Sequence, residues 1–278
     1  MRSVFLSLAF VAASAFGQTH FENDTHCQPA LVVQESGDGA GSGFFVRDSL
    51  SWYLITAKHL VLDPKSGKLL AEKYNVLAWS HDLARNERSS ISLKIKTALD
   101  SGKVFYNTKD DVVAIELGKV KNGKEYAMSS YASLVSGSNA GVIKPVALGT
   151  AEEFKNVHLG DAILVFGYPT ALGLKPMPQF DYDKPLVRGG IIGGKFEERH
   201  NLVIDCAVFA GNCGAPVLHK TDGKMKLVGV LVSNIPSFDP NLEPSGGKRT
   251  EESIYQNNSG YGLLVPMDVV NDLVKGKK

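Results

Sequence analysis

The chain is a succession of short apolar runs, each cut off by turn residues, and this punctuation limits what it can fold into. "ALVVQ", "GFFVRD", "SWYLITA", "YNVLAW", "ISLKIKTA" and "VVAIEL" fill the first half, and "DAILVFGY", "LVRGGIIGG", "NLVIDCAVF", "KLVGVLVS" and "GYGLLVP" fill the second. Each is rich in Val, Ile, Leu, Phe or Tyr and bounded by Gly, Pro, Asn, Asp or Ser, the pattern of strands joined by tight turns. The 28 glycines suit those turns. Closely spaced strands predict an antiparallel sandwich or barrels. One helix is predicted, over "PMDVVNDLVKGKK". There Pro266 and Asp268 suit a first turn, Val269, Val270, Leu273 and Val274 form a stripe, and Lys275, Lys277 and Lys278 suit the C-terminal end.

A length of 278 residues allows one large or two small domains with an ample core. The 44% hydrophobic and 21% charged content argues against wholesale disorder. A net charge of +1 offers no basic field for nucleic acid or an anionic membrane. The first residues, "MRSVFLSLAFVAASAFG", pair a basic Arg2 with an apolar run and then small residues, which reads as a secretory signal cleaved after Ala15 or Gly17. The run is too short to span a bilayer, so export to the periplasm or medium is expected, without stable membrane insertion. Cys27, Cys206 and Cys213 make an odd cysteine count, so one thiol is free or paired between molecules. If Cys213 is the free one, Cys27 and Cys206 could bridge. "HFENDTHC" gathers His20, His26 and Cys27 without completing a metal-ligand spacing, so no metal or cofactor is expected.

Three stretches carry chemistry. "GSGFFVRDSLSWYLITAKHLV" runs two strands into His59, "DDVVAIEL" places Asp111 at the start of an apolar strand, and "FAGNCGAPVL" presents Cys213 between glycines. A nucleophile needs a base within hydrogen-bond reach, and the base needs a third group to fix its tautomer. His59, Asp111 and Cys213 supply those three types.

In these stretches the chain resembles the trypsin/chymotrypsin-fold peptidases, most closely their bacterial Deg-type (high-temperature-requirement) branch. The likeness covers Leu31 to Val274 in family order. It implies an all-β fold of two six-stranded antiparallel barrels with a C-terminal helix. The expected divisions are a signal over 1–17, a flexible N-terminus over 18–30, one barrel over 31–118, a connection over 119–148, and a second barrel with the helix over 149–278. It implies a catalytic His59, Asp111 and Cys213, with Asp110 left as an exposed turn residue. The backbone N–H groups of Gly211 and Cys213 would form the oxyanion hole. Ala207, Val232 and Ser233 would line the substrate pocket, and the absence of a carboxylate at Ala207 disfavours a demand for Arg or Lys.

The chain departs from the family in carrying cysteine where serine is usual, Ala215 where glycine is usual, and Asn212 before the nucleophile. In digestive relatives an aspartate there receives a new N-terminal ammonium, so that switch is not expected here. The implied function is an exported endopeptidase acting on peptides or proteins through a thioester. A catalytically silent peptide-binding member of the fold and a redox-sensing thiol are the alternatives.

Overall fold

The computed structural model describes residues 28–80, 86–122, 125–138, 143–170, 177–221, 224–237 and 257–276. The predicted signal segment, Cys27 and most of the polar insertion after Ser237 lie outside these residues. No helix among the described residues is long and apolar enough to cross a membrane.

The first module contains β1 (Pro29–Gln34), β2 (Ala40–Arg47), β3 (Ser51–Ala57), β4 (Lys73–Trp79), β5 (Arg88–Lys94), α1 (Ile95–Asp100), β6 (Val104–Tyr106), β7 (Val112–Lys121), β8 (Glu125–Met128), β9 (Ala132–Leu134) and β10 (Val146–Ala147). The second contains β11 (Ala162–Gly167), β12 (Leu186–Phe196), β13 (Asn201–Asp205), β14 (Pro216–Thr221), β15 (Lys224–Ser237), β16 (Asn257–Pro266) and α2 (Met267–Val274).

Sequence pattern separates the half-buried strands from those buried on both faces. β4 and β5 alternate buried and more exposed residues, as strands with one solvated face do. β3, "SWYLITA", is buried at every position. Its Trp52 and Leu54 enter the first module's core with Phe45, Val113 and Ile115. Its Tyr53 and Ile55 enter a second core with Phe44, Val46, Val112, Phe166, Leu218, Val230 and Val265. That second core is the seam between the modules. A strand facing two cores is apolar at consecutive positions, which is why Trp52 to Ile55 form an unbroken run in the sequence.

The second module is the expected closed six-stranded barrel, in the order β11-β12-β13-β16-β15-β14. The first is a ten-stranded sheet rather than a closed six-stranded ring, with the path β6-β7-β3-β2-β1-β4-β5-β9, β10 on β2 and β8 on β7. Its path begins at β6 and ends at β9. "ISLKIKTA" was expected to be all strand. Its Ile91 and Leu93 are strand residues, but Ile95 and Ala98 are spaced for a helix and bury in the same core. The segment read as an inter-barrel connection carries β8, paired with β7, and β9, paired with β5. β1 begins at Pro29, two residues before the expected start, and Gln28 and Ala30 are buried.

α2 lies over the seam. Met267, Val270 and Leu273 enter the shared core, and Asp268 accepts a hydrogen bond from the Phe154 amide at 2.7 Å. Pro266 caps the helix from outside rather than occupying its first turn. Because the seam core unites both modules, truncating one of its members should weaken the whole fold. Ile55→Ala is expected to cost about 2–5 kcal/mol. Chemical denaturation should show a lower midpoint with an unchanged m-value.

Candidate active site

His59 stands in a single helical turn, Lys58–Leu60, at the end of β3. Asp111 immediately precedes β7, and β3 and β7 pair from Ala57↔Val112 onward, so the ladder sets the two side by side. The Asp111 carboxylate meets His59 twice. Oδ1 accepts from the His59 backbone N–H at 2.9 Å, and Oδ2 lies 2.6 Å from ring Nδ1. The double contact fixes both the chain and the ring, and it leaves Nε2 for another partner. Lys58 reinforces this, with Nζ donating to the Asn107 and Asp110 carbonyls at 2.8 and 2.7 Å. Asp110 is not the exposed turn residue expected. It is 8% exposed, and its amide and carboxylate both bond Asn107, building the turn that delivers Asp111.

Cys213 comes from the other module, on the loop between β13 and β14, and its side chain lies close enough to the His59 ring to help raise the pKa of that ring. The three expected residues are therefore brought together where the modules meet. Burial alone would lower the His59 pKa. The Asp111 hydrogen bond, followed by the influence of Cys213, outweighs it and pushes the value up to about 10.

Ser42, in the "GSG" of β2, holds the nucleophile loop. Its Oγ donates to the Gly211 carbonyl at 2.7 Å and accepts from the Tyr168 amide at 2.9 Å, while its N–H donates to the Cys213 carbonyl at 2.8 Å. The peptides after Gly211 and after Cys213 are held at their other ends too. The Asn212 amide donates to the Phe209 carbonyl at 3.0 Å, and the Gly214 amide to the Leu231 carbonyl at 2.6 Å. In the peptides between, the Asn212 carbonyl accepts from the Ala215 amide at 3.0 Å, and the Ala210 carbonyl from the Thr170 hydroxyl at 3.4 Å. Among the described residues the Gly211 and Cys213 amides have no backbone acceptor. These are the two donors the sequence assigned to an oxyanion hole.

Close approach requires both loop glycines. At Gly214, φ is +87°, and a Cβ would lie 1.9 Å from the Ser42 carbonyl oxygen. At Gly211, φ is +95°, and a Cβ would lie 2.3 Å from the Tyr168 carbonyl oxygen. Ser42 was visible in the sequence as the centre of Gly-Ser-Gly, but nothing local indicated that its partners lie 126 and 169 residues away.

The predicted pocket residues are placed unequally. Ala207 is half-buried, between Cys206, whose amide bonds the Gly260 carbonyl at 2.9 Å, and Val208, whose carbonyl accepts from the Asn258 side chain. Ser233 donates to the Asn234 carbonyl at 2.8 Å. Val232 is 2% exposed and packs in the seam core, so it can face a substrate only through its backbone. Cys206 is a buried thiol whose pKa burial raises, and its expected partner Cys27 lies outside the described residues. No cluster of three or more His, Cys, Asp or Glu among the described residues is arranged for a metal. Replacing Ser42 by alanine removes one partner from each of two buried backbone groups. The loss should be about 1–3 kcal/mol per group, measurable by denaturant unfolding.

No curated protein matches the sequence. Among solved structures, the protease Anisep from Arthrobacter nicotinovorans is 13% identical, with a TM-score of 0.52 over 91% of this chain and 95% of that one. Deg5 is 16% identical, with a TM-score of 0.50 over 92% and 90%. A serine endoprotease from Yersinia pestis is 16% identical, with a TM-score of 0.47; 91% of this chain aligns, spanning 63% of the length of that one. At such identities the likeness describes fold. The family follows from the sequence itself: residues 41–230 match the trypsin-like peptidase domain, and the chain belongs to that family.

Proposed function

We propose that this protein is an exported endopeptidase that cleaves peptide bonds with Cys213, His59 and Asp111 through a thioester acyl-enzyme. The observation that carries the reading is the double contact of the Asp111 carboxylate with His59, at 2.9 Å to its backbone N–H and 2.6 Å to ring Nδ1, beside the loop that presents Cys213. With its pKa pushed up to about 10 by Asp111 and Cys213, the ring is an imidazolium at neutral pH. A serine hydroxyl would need a neutral ring to take its proton during attack. A cysteine does not, because the thiolate is its attacking form and an imidazolium beside it stabilises that form.

In the first step Sγ attacks the scissile carbonyl carbon and forms the C–S bond. The carbonyl π electrons move to oxygen, where the Gly211 and Cys213 amides stabilise the charge. The tetrahedral species then collapses, the C–N bond breaks, and the amine leaves with the proton from His59 Nε2. The neutral ring next removes a proton from water, which attacks the thioester carbonyl. Collapse of the second tetrahedral species releases the acid and restores the thiolate–imidazolium pair. Asp111 keeps Nδ1 protonated throughout, so Nε2 is the nitrogen that exchanges protons.

Ala207 at the pocket supports a preference for a small or apolar residue before the cleaved bond. The N-terminal apolar segment supports export. The likeness in fold to the protease Anisep agrees with the reaction class.

The test is a pH–rate profile on peptides from a fluorogenic library, together with iodoacetamide alkylation of Cys213. Activity requires the imidazolium, so kcat/KM should fall as pH rises through about 10. Asp111→Asn removes the largest cause of the raised pKa and should move that limb to lower pH, with a loss of roughly 10⁴-fold in kcat. His59→Ala should slow alkylation at pH 7, and Cys213→Ala should abolish cleavage. Alkylation indifferent to His59→Ala, with no peptide cleaved, would favour a silent peptide-binding protein.

A further inference from the structure

The nucleophile loop contains one buried acceptor with no donor, and the neighbouring strand contains a donor with no acceptor. Asn212 is 2% exposed, and among the described residues its Oδ1 has no hydrogen-bond partner. A buried amide oxygen left in this way costs free energy until a donor reaches it. The crevice it faces is lined by Val165, Gly167, Pro169, Leu186 and Arg188, and it is too narrow to admit a water molecule. A bridging water is therefore not the answer, and among the side chains of that wall only Arg188 carries a donor.

Arg188 points the right way. It is paired with Val165 across β11 and β12, and it lies on the same strand face as Gly190 and Ile192. Ile192 is buried in the barrel core, and a Cβ on Gly190 would lie 2.7 Å from the Cys206 Cβ. Arg188 thus faces inward at the mouth of the barrel, beneath the loop that carries Cys213. Its guanidinium lies 4.6 Å from the centroid of the Phe209 ring, four residues before the nucleophile. Among the described residues it has no carboxylate partner and donates no hydrogen bond. A guanidinium stacked on a ring still presents N–H groups at its edge.

We propose that Arg188 is the positioning residue of the oxyanion loop: it stays stacked on Phe209 and turns an edge N–H onto Asn212 Oδ1, latching the peptide whose N–H at Cys213 receives the developing oxyanion. The latch rests on the peptidase reading above for its effect on rate, but not for its existence as an interaction. It is carried within the chain, and it joins the strand before the cleft to the residue preceding the nucleophile. It acts on the oxyanion donors and leaves the Cys213–His59–Asp111 contacts untouched.

Arg188→Met keeps the aliphatic stem and removes every donor, and Arg188→Lys restores a cationic donor. The best-cleaved library peptide should show kcat lowered about 10²-fold in Arg188→Met, as for loss of one oxyanion donor. KM and the iodoacetamide rate at Cys213 should be unchanged, and Arg188→Lys should recover much of the loss. Unchanged kcat in Arg188→Met, or a fall in kcat matched by slower alkylation, overturns the proposal.

If the wild-type protein cleaves no peptide, the peptidase reading fails by itself and the latch is read from stability. Arg188→Met should then lower Tm in the wild type, have no effect in an Asn212→Leu background, and have a larger effect in Asn212→Asp, where a buried carboxylate loses its counter-charge. Equal Tm losses in all three backgrounds overturn it.

Discussion

The Ser42 hydroxyl donates to the Gly211 carbonyl and accepts from the Tyr168 amide, while the Ser42 amide donates to the Cys213 carbonyl. One residue of the first module therefore holds the exit of β11 and the nucleophile loop of the second. Its own strand cannot shift, because Phe44 and Phe45 on β2 bury into different cores on opposite faces. The Thr56 hydroxyl donates to the Ser42 carbonyl at 2.6 Å, within van der Waals reach of Gly214. Loop, histidine strand and seam core are thus one mechanical unit. Any side chain at Gly214 would separate them.

That rigidity gives the electrostatics their meaning. The Asp111–His59 contact forms within one module, through the β3–β7 ladder, and Cys213 is brought to it from the other. The first module's carboxylate is thus the largest cause of the raised His59 pKa, and Cys213, across the seam, adds to it. In a loop built like those that present serine, a ring held protonated is a poor base but a good counter-ion.

How much could be read from sequence depended on whether the cause was local. β3 was legible because burial on both faces left it apolar between Trp52 and Ile55, with the polar Ser51 and Thr56 only near its ends. His59, Asp111 and Cys213 were legible because each sits in a motif. α1 was misread because Ile91, Leu93, Ile95 and Ala98 satisfy a strand period up to Lys94 and a helix period after it, and tertiary burial chose between them. Asp110 was misread as exposed because its role, a reciprocal pair of bonds with Asn107 under the Lys58 amine, is visible only once the turn is folded. The ends of the first sheet were hidden for the same reason, since no local pattern states that its path ends at β9.

Ala215 puts a methyl beside the nucleophile loop where the sequence comparison led one to expect glycine, and that methyl needs space. The structure shows where its space comes from. Ala215 is fully buried in the second barrel's core, and a Cβ on Gly167 would come within 3.0 Å of the Ala215 Cβ, 3.1 Å of Ser42 Oγ and 3.3 Å of Asn212 Oδ1. Gly167 has no Cβ, so the Ala215 methyl occupies the volume that a side chain at 167 would need. The same vacancy lets the Ser42 hydroxyl reach both its partners. A methyl at 215 and a bare backbone at 167 form one packing solution, so the extra carbon does not tighten the loop. Swapping the two, Gly167→Ala with Ala215→Gly, would conserve volume yet press the new methyl against Ser42 Oγ and disturb the hydroxyl that holds the site.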